Sequence, residues 1–200
     1  MKSKIKRSRT KELKTRCAWV PEGNEMYEVY HDTEWGVPVY DDQKLFEFIV
    51  LESAQAGLSW AIILKKREGY RKAFAKFNPK KVAKFGAREV ARLMQNSDIV
   101  RNRLKIEATI ANAKAFLEIQ KEFGSFAVYM WGFVGNKPIV HAMSSLKEYP
   151  KYIPEAEVFA KDLKKRGFRF FGPTVAYAHM QAVGMVNDHM KQCFRFTPRP

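Results

Sequence analysis

The sequence predicts an all-α protein, and three observations carry that expectation. Apolar residues recur at helical period along much of the chain. Residues suited to starting and stopping helices stand at the ends of those stretches. Few segments alternate with period two, as half-buried strands would. In 200 residues, 46% hydrophobic and 14% aromatic content supports one domain with a substantial core. No repeat or low-complexity stretch appears.

Asp41-Asp42 can cap a helix carrying Leu45, Phe46, Phe48, Ile49 and Leu51. Gly57 interrupts it, and Ser59 can cap the next, which brings Trp60, Ile63 and Leu64 to the core. Asn78-Pro79 sets a cap before a proline at the first helical position, and Pro154 repeats that placement before 155–166, with Gly167 as the stop. Residues 87–96 and 104–123 are amphipathic at helical period and joined by the short segment 97–103. The whole is expected to fold so that its two ends meet.

Thirty-six Lys and Arg against 21 Asp and Glu leave a formal charge of +15, which points to a polyanionic partner. Residues 1–16 hold eight basic residues against Glu12, so about half the surplus sits there. Residues 1–14 read as a disordered basic tail, which solubility alone would also explain, and 15–200 as a single helical domain. The body keeps Lys65-Lys66-Arg67, Arg101, Arg103, Lys105 and Lys164-Lys165-Arg166. No apolar run is long enough to span a bilayer, and no secretory signal follows the charged N-terminus. The expectation is a cytoplasmic protein with no membrane partner, acting as a monomer.

Two cysteines, Cys17 and Cys193, stand at opposite ends of the folded part. Without export, a metal site and two idle thiols are the open options. In Asp188-His189-Met190-Lys191-Gln192-Cys193, His189 and Cys193 lie four apart and would share one helix face. Adding Cys17 and His31 gives a Cys₂His₂ set split between chain ends; a surface histidine beside a buried thiol is the plainer alternative. His141 and His179 lack a cysteine at ligand spacing and read as structural or surface residues. In 97–103, Ile99 and Val100 can plug a helix pair while Arg101 and Arg103 face outward, and the start of the next helix near Leu104 favours a phosphate. An ordinary helical hairpin with a charged loop would show the same pattern. Glu52 stands in a largely apolar helical stretch, 46–57, where an unpaired carboxylate is costly. Either structural hydrogen bonds satisfy it or it is kept for a ligand. Trp19, Tyr27, Tyr30 and Trp35 lie within one early segment and Trp60 lies eight residues after Glu52, as core or as stacking surfaces for a flat heterocycle.

Arg16-Cys17-Ala18-Trp19-Val20 and Tyr30-His31-Asp32-Thr33-Glu34-Trp35-Gly36-Val37-Pro38 strongly resemble the opening of the DNA-3-methyladenine glycosylase I family. So do Leu51-Glu52, Gln55-Ala56-Gly57-Leu58-Ser59-Trp60, Leu64-Lys65-Lys66-Arg67-Glu68, Lys165-Arg166-Gly167-Phe168, Gly172-Pro173-Thr174, Met180-Gln181-Ala182 and Val186-Asn187-Asp188-His189. The likeness runs in order over roughly 15–195. It implies a helix-hairpin-helix DNA glycosylase fold with one structural zinc per chain, held by Cys17, His31, His189 and Cys193 and joining the terminal segments. It implies a base pocket with Trp19 and Trp60 stacking, Tyr30 and Glu52 as polar contacts, and Tyr27 and Trp35 as walls. Arg101, Arg103 and Lys105 would grip the DNA backbone. The implied partner is double-stranded DNA containing alkylated bases, and the product is free 3-methyladenine. Glu52 would recognise and stabilise the cationic base electrostatically, without nucleophilic attack. Departures are Ser97-Asp98 where a glycine is usual before the two apolar residues, and His179 where an apolar aromatic residue is usual. A zinc-stabilised DNA-binding module and a glycosylase for another alkylated base, such as 3-methylguanine, are the rival readings.

Overall fold

The computed structural model describes residues 14–198; apart from Lys14, the basic run expected to form a tail lies outside the described residues. Helix α1 (Glu25–Thr33) begins at Asn24, whose side chain accepts from the Tyr27 amide. Helical period does not mark this element in the sequence, where the Asn24 cap is its one local signal. Helix α2 (Asp42–Gln55) starts as expected, with Asp41 Oδ1 accepting from the Lys44 amide at 2.7 Å. Every residue from Leu45 to Ala54 is buried, so α2 is central rather than amphipathic and packs against α3, α6, α7 and α9. Each fully buried Leu, Ile or Phe there contributes about 1.5–3 kcal/mol. Gly57, at φ +80°, turns the chain out of α2 into α3 (Trp60–Ala73). Ser59 stands at the cap of α3, though its side chain makes no cap bond.

Asn78 caps the short α4 (Pro79–Val82) and Pro79 opens it. Next come α5 (Ala87–Met94) and α6 (Arg103–Phe123), within two residues of the expected bounds. Asn102 caps α6 by accepting from the Lys105 amide at 3.1 Å. Helix α7 (Phe126–Trp131), absent from the sequence reading, is started by Ser125 and tied to α2 by Asp42, which accepts from the Phe126 and Ala127 amides at 2.8 and 2.9 Å. Pro154 opens α8 (Pro154–Lys165), and Gly167 (φ +96°) follows it. Helix α9 (Pro173–Ala182) packs along α8. Two strands of two residues each, β1 (Ile139–Val140) and β2 (Val186–Asn187), pair in parallel, and these were not anticipated. They are too short for alternation to register.

The segment between α1 and α2 lies against the end of α9. Gly36 N donates to Gln181 O at 2.9 Å and Val39 N to Val183 O at 3.1 Å. Gly184 (φ +73°) permits this approach, since a Cβ there would sit 2.4 Å from Val37 C and Pro38 N. The chain ends meet as expected, with Phe194 N donating to Thr15 O at 2.9 Å.

Candidate active site

The last turns of α2 and α9, the start of α3 and the segments around α1 enclose a cavity of about 380 Å³. Trp19, Tyr27, Tyr30, Trp35, Glu52 and Trp60, separated in sequence, all line it, together with Gln55, Gln181 and Tyr149. The rings brace one another: Trp19 meets Trp35 edge-on at 4.9 Å and Tyr27 at 6.3 Å, while Tyr30 tilts against Trp60 at 5.4 Å. Glu52 is 4% exposed, and its carboxylate has no hydrogen-bond partner among the described residues. Burial pushes its pKa up to about 8. The indole N–H groups of Trp19 and Trp60 are also buried with no partner among the described residues. Burial first, then the nearby Glu52, holds the Tyr30 phenol above its usual range.

The contrast with Glu47, five residues earlier on α2, is instructive. Glu47 is equally buried but receives Arg67 at 2.8 Å, Arg71 at 2.9 Å and Lys44 at 3.4 Å. Arg67 also forks onto both oxygens of Glu34 at 2.7 Å. Although burial opposes it, that fork and Lys44 hold Glu34 down at about 2. Glu47 is therefore a structural acid, whereas Glu52 has been given no cation. A larger hollow of about 620 Å³ beside His141, Glu148 and Phe196 contains no such group. There Glu148 binds Ser144 and Ser145, and His141 pairs with Asp188.

Cys17, His31, His189 and Cys193 come together in one buried group, their ligand atoms all within 4.8 Å of one another. The set could hold a metal ion. His31 Nδ1 faces Asp32 Oδ1 at 2.8 Å, and Asp32 in turn takes a two-pronged contact from Arg16 at 2.8 Å. His189 Nε2 faces the Trp35 carbonyl at 3.1 Å. In each ring the nitrogen facing an oxygen acceptor carries the proton, which leaves the lone pair of His31 Nε2 and His189 Nδ1 toward the two sulfurs. The Met190 and Arg195 amides donate to Cys17 Sγ and Cys193 Sγ at 3.3 and 3.4 Å, a setting for thiolates. The Cys17 thiol, with help from both histidines, holds Cys193 well below the usual thiol range, while Cys17 itself is raised by the Cys193 contact and by burial. Two inward lone pairs and two sulfurs held by amides fit a four-coordinate cation with N and S ligands. Gly36 (φ +75°) is needed here, since a Cβ would lie 2.9 Å from His189 Nε2.

At the helical hairpin, Ile99 is buried and Val100 half-buried, as the plug reading requires, while Arg101 and Arg103 are exposed. The turn without its expected glycine packs on α3, where Gly69 makes room: a Cβ there would be 2.3 Å from Asp98 O. Tyr70 Oη accepts from the Val100 amide at 3.2 Å and Lys66 donates to Ser97 O at 2.6 Å. Lys105 is turned inward. Its ammonium donates to the carbonyls of Ala54 and Ala56 at 2.9 and 2.6 Å, and burial lowers its pKa. Of the basic residues read as surface charge, Lys66, Arg67, Lys105 and Arg166 are thus engaged within the fold, and exposed Arg103 lies 3.5 Å from Glu107; Arg166 pairs with Glu122 and Asp162. The sequence assigns no site role to Gln55, Tyr149 or Gln181, although Gln55 and Gln181 both lie within the motifs that carry the family resemblance.

A helical hairpin packed beside an aromatic cavity with an unpaired buried acid defines the helix-hairpin-helix glycosylase class. The family model for methyladenine glycosylase matches residues 19–196, and the chain belongs to that family. It is 49% identical over 181 residues to DNA-3-methyladenine glycosylase of Haemophilus influenzae, covering 90% of this chain and 97% of that protein. Among solved structures it is similar to 3-methyladenine DNA glycosylase I (TAG), with TM-score 0.89, 48% identity, and coverage of 92% of this chain and 100% of the other. A TAG variant in complex with 3-methyladenine gives TM-score 0.89 at 37% identity, covering 92% and 99%.

Proposed function

We propose that this chain is a monofunctional DNA base-excision repair glycosylase that flips 3-methyladenine out of alkylated double-stranded DNA and hydrolyses its N-glycosidic bond. The observation that carries this reading is Glu52, an acid held in an aromatic cavity with no partner among the described residues and with burial raising it to about 8. Methylation at N3 makes the base cationic, so it leaves as a neutral molecule without receiving a proton from the protein. The protein's work is extraction, recognition and electrostatic stabilisation. A cation entering the cavity offsets the cost of ionising Glu52, whereas uncharged adenine does not. The rings of Trp19 and Trp60 add stacking and cation–π attraction, Tyr30 adds a polar contact, and Tyr27 and Trp35 wall the cavity. Arg101 and Arg103 on the hairpin meet phosphates.

The Cys17, His31, His189 and Cys193 set is proposed to hold one structural zinc. When bound, the ion would cross-link the two chain ends, leaving no open position for catalysis. The test of the reaction is incubation of alkylated DNA with the protein and identification of the bases released. Free 3-methyladenine is expected as the main product. Binding without release would leave a DNA-binding module, and release of 3-methylguanine alone would assign a different lesion.

A further inference from the structure

Gln181 closes α9 and lines the cavity half-buried, yet the reading above gives it no part. Its side-chain Nε2 donates to Asp188 Oδ2 at 2.6 Å. Asp188 is fully buried, and its carboxylate also accepts from Tyr177 Oη and, at 2.7 Å, from His141 Nδ1. Tyr149 Oη donates to the Asp188 carbonyl at 2.6 Å, which holds the residue's backbone as well. A carboxylate only accepts, so the amide nitrogen of Gln181 must face Asp188 and the amide oxygen must face away from it. That oxygen accepts no hydrogen bond from the described residues. The backbone of Gln181 is pinned too, its carbonyl accepting from Gly36 N at 2.9 Å.

We propose that Gln181 Oε1 is a second base-binding acceptor, which with Glu52 reads the exocyclic amine of the flipped base. The inference rests on the functional reading above. In DNA, 3-methyladenine carries a single N–H donor group, its amine, with two hydrogens; the other polar atoms of its ring accept. Two acceptors in the cavity, Glu52 and Gln181 Oε1, match those two hydrogens. A glutamine can ordinarily rotate its amide to suit donor or acceptor, but rotation here would set Oε1 against the Asp188 carboxylate. Asp188 therefore makes Gln181 an acceptor only. A base with a carbonyl oxygen in place of the amine meets a fixed acceptor and is refused.

The test is titration of free 3-methyladenine, and of 3-methylpurine, which lacks the amine, into wild type, Gln181→Met and Gln181→Leu. Wild type should prefer 3-methyladenine. Each variant should lose roughly threefold to tenfold of 3-methyladenine affinity, the worth of one hydrogen bond, and hardly any affinity for 3-methylpurine. A folded variant that loses equally on both ligands, or on neither, overturns the inference while leaving the functional reading intact. Wild type that fails to bind 3-methyladenine overturns the functional reading instead. Should both variants fail to fold, Asp188→Asn reads the same ratio: its amide can donate to Gln181 Oε1 and turn the amine-reading oxygen away. An undiminished ratio in folded Asp188→Asn counts against the proposal.

Discussion

His179 is fully buried, and neither ring nitrogen has a partner among the described residues. It packs against the rings of Phe171 at 5.4 Å and Phe159 at 6.4 Å, and burial lowers its pKa to about 3. A buried unsatisfied polar group costs about 1–3 kcal/mol, so His179→Phe should stabilise the protein by that order. The unfolded imidazole takes a proton below about 6.5. The native one does not, so wild-type stability is complete above that pH and is lost as pH falls toward 3. The gain in His179→Phe should therefore be larger at pH 5 than at pH 8 in denaturant melts. A loss at both pH values would mean that the site cannot accept the larger ring, and an equal gain at both would mean that the imidazole titrates alike in the native and unfolded chains. Glu52 has the opposite sign. Its native pKa of about 8 exceeds its unfolded value, so its contribution is complete below about 4.5 and is lost as pH rises through 8. Glu52→Gln should match wild type in stability near pH 4 and exceed it at pH 8. Base release should fall tenfold or more, as expected for a hydrogen bond to a charged group worth about 1.5–3 kcal/mol. A variant that is no more stable at pH 8 and still fully active would make Glu52 structural. An acid in an apolar run is conspicuous, but Glu47 stands in the same run, so it is the Leu51-Glu52 motif of the family resemblance that sets Glu52 apart in the sequence. The sequence left the environment of His179 open because its neighbours come from α8 and the loop before α9.

Helices were legible where local chemistry marks their ends, as with Asp41 before α2, Asn78-Pro79 before α4 and Pro154 before α8. Helices α1 and α7 are not marked by periodicity although Asn24 and Ser125 cap them: α7 spans only six residues, and α1 mixes acidic and aromatic residues without a clear apolar stripe. Contacts between elements were not legible, and Lys105 shows the consequence. From sequence it belonged with Arg101 and Arg103 as a phosphate contact. In the fold it joins the first turn of α6 to the carbonyls that end α2, next to Gln55 in the cavity wall. Lys105→Met should therefore weaken free-base binding and leave the salt dependence of DNA binding nearly unchanged. Arg101→Ala and Arg103→Ala should do the reverse, each lowering the salt slope by about one unit. Measured binding slopes between low and moderate salt decide it. A reduced slope in Lys105→Met with intact base binding would return that lysine to the DNA surface.

At the scale of the whole molecule, the decisive contact joins residues 14 apart and 172 apart in one cluster, since Cys17 meets both His31 and His189. Its ligand set was open to proposal from the sequence because cysteine and histidine are scarce here. Its link to the cavity was hidden, because the link runs through a backbone carbonyl and ring edges. His189 Nε2 faces the Trp35 carbonyl, its ring meets the Trp35 ring at 4.7 Å, and the His31 ring meets Trp19 at 5.3 Å. Trp19 and Trp35 are cavity walls, so the clasp of the two chain ends and the aromatic cavity share a partition. Protein purified without added metal should contain about one zinc per chain by elemental analysis. Cys193→Ser should lower the thermal midpoint, because binding of a structural metal is coupled to folding. It should also weaken 3-methyladenine binding, as Trp19 and Trp35 lose the imidazoles that brace them. Chelation at neutral pH should reproduce both effects in wild type, and added zinc should reverse them. Metal-free wild type with an unchanged midpoint and unchanged base affinity would overturn the zinc assignment. A lowered midpoint with full base affinity would keep the clasp but remove its hold on the cavity.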